Sequence, residues 1–180
     1  MPVYLIRHGQ SEFNAVHNVG DPDPMTFDAP LTQTGFRQAE AARAAASGLG
    51  IRLVIASPLT RAIQTALCIF DGIAPIRILA GPRERLNHSC DVGRTPAELR
   101  RQFPSLSFDH LTENWWHQGP LNEVGIPVEP AGVFRQRVAA FAQELRLIPQ
   151  RPVAVVGHAD MFRELAGFTM ENCEIRRYPD

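Results

Sequence analysis

Three short segments of this chain carry side chains suited to one kind of chemistry. Arg7-His8-Gly9, Ser57-Pro58-Leu59-Thr60-Arg61 and Gly157-His158 each follow directly on an apolar run. Two imidazoles and two guanidiniums brought to one place make an anion site with a nucleophile. A phosphoryl group in transfer spreads negative charge over its equatorial oxygens, and fixed guanidinium donors stabilise that charge. Arg7 and Arg61 would form the clamp, His158 would add a donor, and so would backbone N–H groups of a helix starting near Ala159. Like charge on both sides keeps the imidazole of His8 neutral, so a ring nitrogen stays free to attack. A turn at Gly9 lets a backbone group hold the other ring N–H and select the tautomer. Attack on phosphorus gives a phosphohistidine, which water then opens. The departing alkoxide needs a proton, and Glu84 is the candidate acid.

Other chemistries find less support. The chain contains no GxSxG, HExxH, Walker A loop or GxGxxG, and His110 and His117 lack metal-ligand spacing, so neither a metal nor a cofactor is expected. A net charge of -1 over 180 residues speaks against non-specific nucleic-acid binding. With 44% hydrophobic residues the chain can fill one sizeable core, and it is expected to form one domain over 1–180. The start, Met1-Pro2-Val3-Tyr4, lacks a basic leader, and no window reaches the roughly 20 apolar residues that cross a bilayer. Cys68, Cys90 and Cys173 are odd in number, far apart and read as small buried hydrophobes. A cytoplasmic location is the simplest expectation.

The elements that must position these residues alternate. Val3–Ile6, Leu53–Ala56, Ile76–Leu79 and Val153–Val156 read as buried strands. A Pro- and Asp-rich loop, Asp21 to Pro30, precedes a helix capped by Thr32 or Thr34. That helix runs to about Leu49, with Phe36, Ala39, Ala42, Ala46 and Leu49 on its apolar face. Ser57 is expected to cap the next helix, with Leu59, Ile63, Leu67 and Phe70 as its stripe. Further helices are expected at Thr95 to Phe103, around Phe134, Val138, Phe141 and Leu145, and from Gly157-His158 to about Phe168. Strands alternating with helices imply a parallel sheet covered on both faces, with its functional crevice beyond the carboxyl ends of the strands. All three polar segments fall there.

Four ordered blocks then become recognisable. Leu5-Ile6-Arg7-His8-Gly9-Gln10-Ser11-Glu12-Phe13-Asn14, Leu31-Thr32-x-x-Gly35-x-x-Gln38-Ala39, Ser57-Pro58-Leu59-x-Arg61-Ala62-x-Gln64-Thr65-Ala66 and Val156-Gly157-His158 resemble the signatures of the histidine phosphatase superfamily, which includes cofactor-dependent phosphoglycerate mutases. The resemblance implies an α/β fold, a three-layer α/β/α sandwich with a mostly parallel central sheet. It also implies His8 as nucleophile, Arg7, Arg61 and His158 around the phosphate, Glu84 as proton donor, Asn14 against the substrate phosphate, and no metal. Gln10 stands where the family often has Glu. The stretch after Glu84 is shorter than a mutase's and lacks its glycine-spaced pattern. Asp91-x-Gly93 and Trp115-Trp116 resemble a mutase-like phosphatase subgroup instead.

Each residue also has a blander reading. His8 and His158 could be strand-end histidines, the arginines surface ion pairs, Arg83-Glu84-Arg85 a solvated cluster and Asn14 a cap. Trp115 and Trp116 read as packing or lid residues, and His17, His88, His110 and His117 as surface groups, with His88 near enough to Glu84 to reach the pocket. The expected activity is that of a phosphatase on a small phosphorylated metabolite, with residues 87–130 as a lid that selects it. Alternatives are a protein phosphohistidine phosphatase, a phosphoglycerate mutase-type phosphomutase and a non-catalytic phospho-ligand binder. The expected partner is the phosphorylated substrate, not nucleic acid or membrane, and a homodimer is one allowed state.

Overall fold

The computed structural model describes residues 2–179; Met1 and Asp180, the two ends of the expected domain, lie outside the described residues. Strands β1 (Val3–Arg7), β2 (Leu53–Ala56), β3 (Ile76–Ile78), β4 (Val153–Gly157) and β5 (Ile175–Arg177) form one sheet in the order β3-β2-β4-β1-β5. The first four pair in parallel, and β5 runs antiparallel to β1 at the edge. Ile6, Val54, Ala56, Ala154 and Val156 enter one apolar cluster, while Leu5, Leu53, Ile55, Val153 and Val155 enter a second. Strands β2 and β4 therefore alternate between two buried faces, which is why their sequences are apolar throughout. Strand β5 escapes the sequence pattern because two of its three residues, Arg176 and Arg177, are exposed.

Six α-helices lie among the described residues: α1 (Glu12–Val16), α2 (Gln33–Ser47), α3 (Thr60–Phe70), α4 (Pro96–Gln102), α5 (Ala131–Leu147) and α6 (Ala159–Ala166). Helices α2 and α3 pack together on one face of the sheet, and α5 and α6 on the other, giving the three-layer α/β/α arrangement. The stripe Phe134, Val138, Phe141 and Leu145 is buried as its spacing predicts. Phe70 and Phe141 lie in the two cores, and truncating either to alanine would cost about 3–5 kcal/mol.

Two helix readings need correction. Thr32 caps α2, but Phe36 is exposed; Gly35, Ala39 and Ala46 form the buried side. Position 35 must be glycine because a Cβ there would lie 2.2 Å from the Gln10 carbonyl oxygen. Ser57 does not cap α3. The Thr60 N–H donates to Asp28 Oδ1 (2.8 Å) and the Thr60 hydroxyl to Asp28 Oδ2 (2.6 Å), so the cap comes from a loop 32 residues upstream. The helix ends are also earlier than their periodicity suggests: α6 stops at Gly167, whose φ of 76° needs no side chain.

Residues 87–130 are less open than a loop-rich composition implies. Leu99, Phe103, Phe108 and Trp115 are buried in the core that holds α2 and α3. The Trp115 indole donates to the Arg94 carbonyl (2.8 Å) and lies so close over Gly93 that a Cβ there would meet the ring at 2.1 Å. Trp116 stands edge-on to it at 5.5 Å. Among the described residues, no helix is long and apolar enough to cross a membrane.

Candidate active site

Sheet register does the first part of the assembly. Arg7 pairs with Gly157 and Ala56 with Val156, so His8, Ser57 and His158 leave neighbouring strand ends together. The His8 N–H still bonds to the Gly157 carbonyl (3.0 Å) and the Ser57 N–H to that of Val156 (3.1 Å). The two imidazole rings lie 5.1 Å apart. Beyond His8 the chain turns hard against α2, and a Cβ on Gly9 would sit 2.5 Å from the Gly35 oxygen. Side chains from the other sequence blocks hold that turn. Gly9 N–H donates to Thr65 Oγ1 (3.1 Å), Gln10 N–H to Gln38 Oε1 (2.8 Å) and Leu31 N–H to Gln64 Oε1 (2.8 Å). Buried loop amides are thereby satisfied by α2 and α3.

The tautomer of His8 follows from its partners. Its Nδ1 lies 2.7 Å from the Gly9 carbonyl oxygen, which only accepts, so Nδ1 carries the proton. Arg61 Nε donates to His8 Nε2 (3.3 Å), which must therefore present a lone pair. Burial, with the charges of Arg61 and Arg7, holds the His8 pKa well below its ordinary 6.5, against an opposing contribution from the Gly9 bond. Arg61 is itself fixed: Nη1 donates to the Cys90 carbonyl (2.6 Å) and Nη2 to Asp91 Oδ1 (2.8 Å). Burial opposes its charge, and Cys90, Asp91, Glu84 and Asp28 outweigh that and raise its pKa. Nothing in the local sequence marks Asp91 as a site residue; its role depends on a contact 30 residues away in sequence.

Arg7 donates through Nη1 to the Met170 carbonyl (2.7 Å), while its Nε is buried with no protein partner. His158 is fully buried, with Nε2 2.8 Å from Ser57 Oγ and Nδ1 lacking a partner. Burial first, then Arg61, His8, Arg137 and Arg7, keep it neutral. Ser57, read as a helix cap, is thus the anchor of an imidazole 101 residues away.

A cavity of about 160 Å³ opens beside these groups, and Arg7, His8, Asn14, Arg61, Glu84 and Ala159 all line it. Asn14 both caps and faces the cavity: its Oδ1 accepts from the Ser11 N–H (3.3 Å) in the capping box of α1. The start of α6 also holds a side chain of the protein itself. Glu84 Oε2 accepts from Asp160 N–H (3.1 Å), and Oε1 accepts from Met161 N–H (3.0 Å) and Arg85 N–H (2.9 Å). The helix terminus next to Ala159 thus holds the carboxyl group of Glu84. Burial and the nearby Asp91 and Asp160 raise the Glu84 pKa to about 7, despite those amide donors. Phe13, Asn87 and His88 complete part of the wall; Trp115, Trp116, His110 and His117 are not among the lining residues, and neither is His158, which reaches the site through its ring contact with His8. His110 instead bonds through Nε2 to the Ile78 carbonyl (2.7 Å). No cluster of three or more His, Cys, Asp or Glu among the described residues is arranged to hold a metal ion.

With this geometry in hand, the comparison with known sequences is direct: residues 3–178 match the histidine phosphatase superfamily (branch 1). The chain belongs to that family. A protein of Cronobacter sakazakii named "Probable phosphoglycerate mutase GpmB" is 34% identical over 139 residues, covering 77% of this chain and 58% of the relative. This chain spans about half the length of the curated relatives it matches. In fold it is similar to a mycobacterial glucosyl-3-phosphoglycerate phosphatase solved with VO3 (TM-score 0.61, 21% identity, 98% of this chain and 90% of that one). It is also similar to a phosphoserine phosphatase from Entamoeba histolytica solved with 3-phosphoglyceric acid (TM-score 0.59, 21% identity, 98% and 89%).

Proposed function

We propose that this histidine phosphatase family member hydrolyses a small phosphorylated metabolite through a phosphohistidine at His8, without a metal. One observation carries the reading: His8 Nε2 presents a lone pair beside the guanidinium of Arg61 while Nδ1–H is pinned to the Gly9 carbonyl. Nε2 attacks phosphorus, the new P–N bond forms, and the P–O bond to the leaving group breaks. Arg7 Nε, Arg61 and His158 Nδ1 meet the developing charge on the equatorial oxygens. Glu84, protonated up to about pH 7, passes its proton to the leaving alkoxide. Its carboxylate then takes a proton from water, which attacks phosphorus and frees His8. The small cavity favours a compact phosphomonoester, and residues 87–130 would contribute to its selection through Asn87 and His88.

The test is hydrolysis of an aryl phosphate in the presence of a chelator. Turnover should persist, acid-labile phosphate should be trapped on His8, and His8→Ala should lower kcat by roughly four orders of magnitude or more. Steady turnover with no phosphohistidine would end this reading. A phosphomutase is the second reading, favoured by the name of the Cronobacter relative. Given a phosphoglycerate, a mutase returns the isomer, whereas a phosphatase releases inorganic phosphate.

A further inference from the structure

The acid has a mounting of its own, on the side of its loop away from the cavity. Residues 81–86 form no strand or helix, yet their main chain is tied down almost residue by residue. Arg137, on α5, donates through Nη1 to the carbonyls of Gly81 (2.8 Å) and Arg83 (2.9 Å), and through Nη2 to that of Glu84 itself (3.2 Å). Its Nε donates to Glu129 Oε1 (3.0 Å) and its Nη2 also to Glu129 Oε2 (2.7 Å). Every donor of the guanidinium fork is therefore spent on the loop or on Glu129, an arrangement a lysine cannot reproduce.

Glu129 is wholly shielded from solvent and ties the other end of the loop. Its carboxylate accepts from the Leu86 N–H and from Arg83 Nη2, both at 3.4 Å. Its own N–H donates to the Leu86 carbonyl (2.8 Å), and its carbonyl accepts from Arg85 Nε (3.1 Å). The residues on either side of Glu84 are thus held by one ion pair that does not touch the cavity. In front, the Glu84 carboxyl rests on α6, and α6 packs on α5, which carries Arg137.

We propose that Arg137, gripped by Glu129, is a positioning residue for proton transfer: it sets where Glu84 stands relative to the leaving-group oxygen. This rests on Glu84 being the acid. A leaving group that departs as a stable anion needs little from Glu84, whereas an alkoxide needs an acid within hydrogen-bond reach, so displacement of the loop should be felt selectively.

The experiment compares an aryl phosphate with an alkyl phosphate on the full chain for Glu84→Gln, Arg137→Lys and Glu129→Gln. Circular dichroism melting confirms that each variant is folded. Arg137→Lys should lower kcat on the alkyl phosphate about tenfold more than on the aryl one, with KM nearly unchanged and with phosphohistidine formation from the aryl phosphate preserved. Glu129→Gln, which keeps volume and one acceptor, should show the same selectivity to a smaller degree and serves as the readout if Arg137→Lys does not fold. If Glu84→Gln is selective but Arg137→Lys and Glu129→Gln lose both substrates equally, or neither, the positioning role is refuted while the acid role stands. If Glu84→Gln itself shows no selectivity, the acid role falls first.

Discussion

The two sides of the 81–86 loop make opposite use of the same side chain. Glu84, facing the cavity, is met by backbone N–H groups of α6 and by Asp91 and Asp160, and its pKa rises to about 7. Glu129, behind the loop, is also shielded from solvent, but Arg137 and Arg83 outweigh burial and hold its pKa below the ordinary value. Burial alone does not make a proton donor. What matters is whether the compensating groups are neutral dipoles, which leave the proton exchangeable, or full cations, which expel it. Placing the cations behind the loop keeps the scaffold charged and fixed while the acid in front remains able to give up a proton.

That contrast can be broken experimentally. The largest effect should come from Glu84→Gln, with alkyl phosphate hydrolysis lowered by about 10²–10⁴ and melting temperature little changed. Comparable loss of stability would mean that Glu84 belongs to the scaffold. Glu129→Ala should do the reverse, leaving Arg137 and Arg83 without a carboxylate and destabilising the fold by about 3–5 kcal/mol in urea unfolding. A cost below about 1 kcal/mol would remove Glu129 from its role.

A subtler separation comes from pH. Glu84 has a folded pKa above its ordinary 4.5, so its contribution to stability is full below 4.5 and is lost as pH rises through about 7. Glu129 has a lowered folded pKa, so its contribution is present above 4.5 and is lost as pH falls. His8 and His158, both buried neutral, add to the acid-side loss, since the unfolded chain takes up their protons below about 6.5. Unfolding curves across pH should therefore flatten on the alkaline side in Glu84→Gln and on the acid side in Glu129→Gln. The same alkaline fall should appear in turnover near pH 7 and vanish in Glu84→Gln. Identical profiles for the two variants would erase the distinction.

The legible part of the site was the part set by local pattern. Apolar runs end at Arg7, Ser57 and Gly157, and parallel strands must place those ends along one edge. Glu84 could be assigned because it follows β3 closely. Ser-Pro before an apolar stripe is a good local cap signal, yet Asp28 takes the Thr60 N–H at the helix start, and the Ser57 hydroxyl meets His158 and the Leu59 N–H instead. The amides of Asp160 and Met161, next to Ala159, seat Glu84, while Ala159 itself lines the cavity. Asp91, Glu129 and Arg137 gave no periodic signal; they are charged residues in irregular or amphipathic stretches whose partners lie far away in sequence.

Residue order alone settled which segments become the four parallel strands, which edge of the sheet collects imidazoles and guanidiniums, and which family motifs are present, because these depend on side-chain periodicity and chain connectivity; the antiparallel edge strand β5 carries no such pattern. Folding in three dimensions decided which nitrogen of His8 keeps its proton, which carboxyl remains able to exchange one and what holds it in place. Those properties belong to the partners and solvent around an atom, and contacts between distant stretches of chain create them.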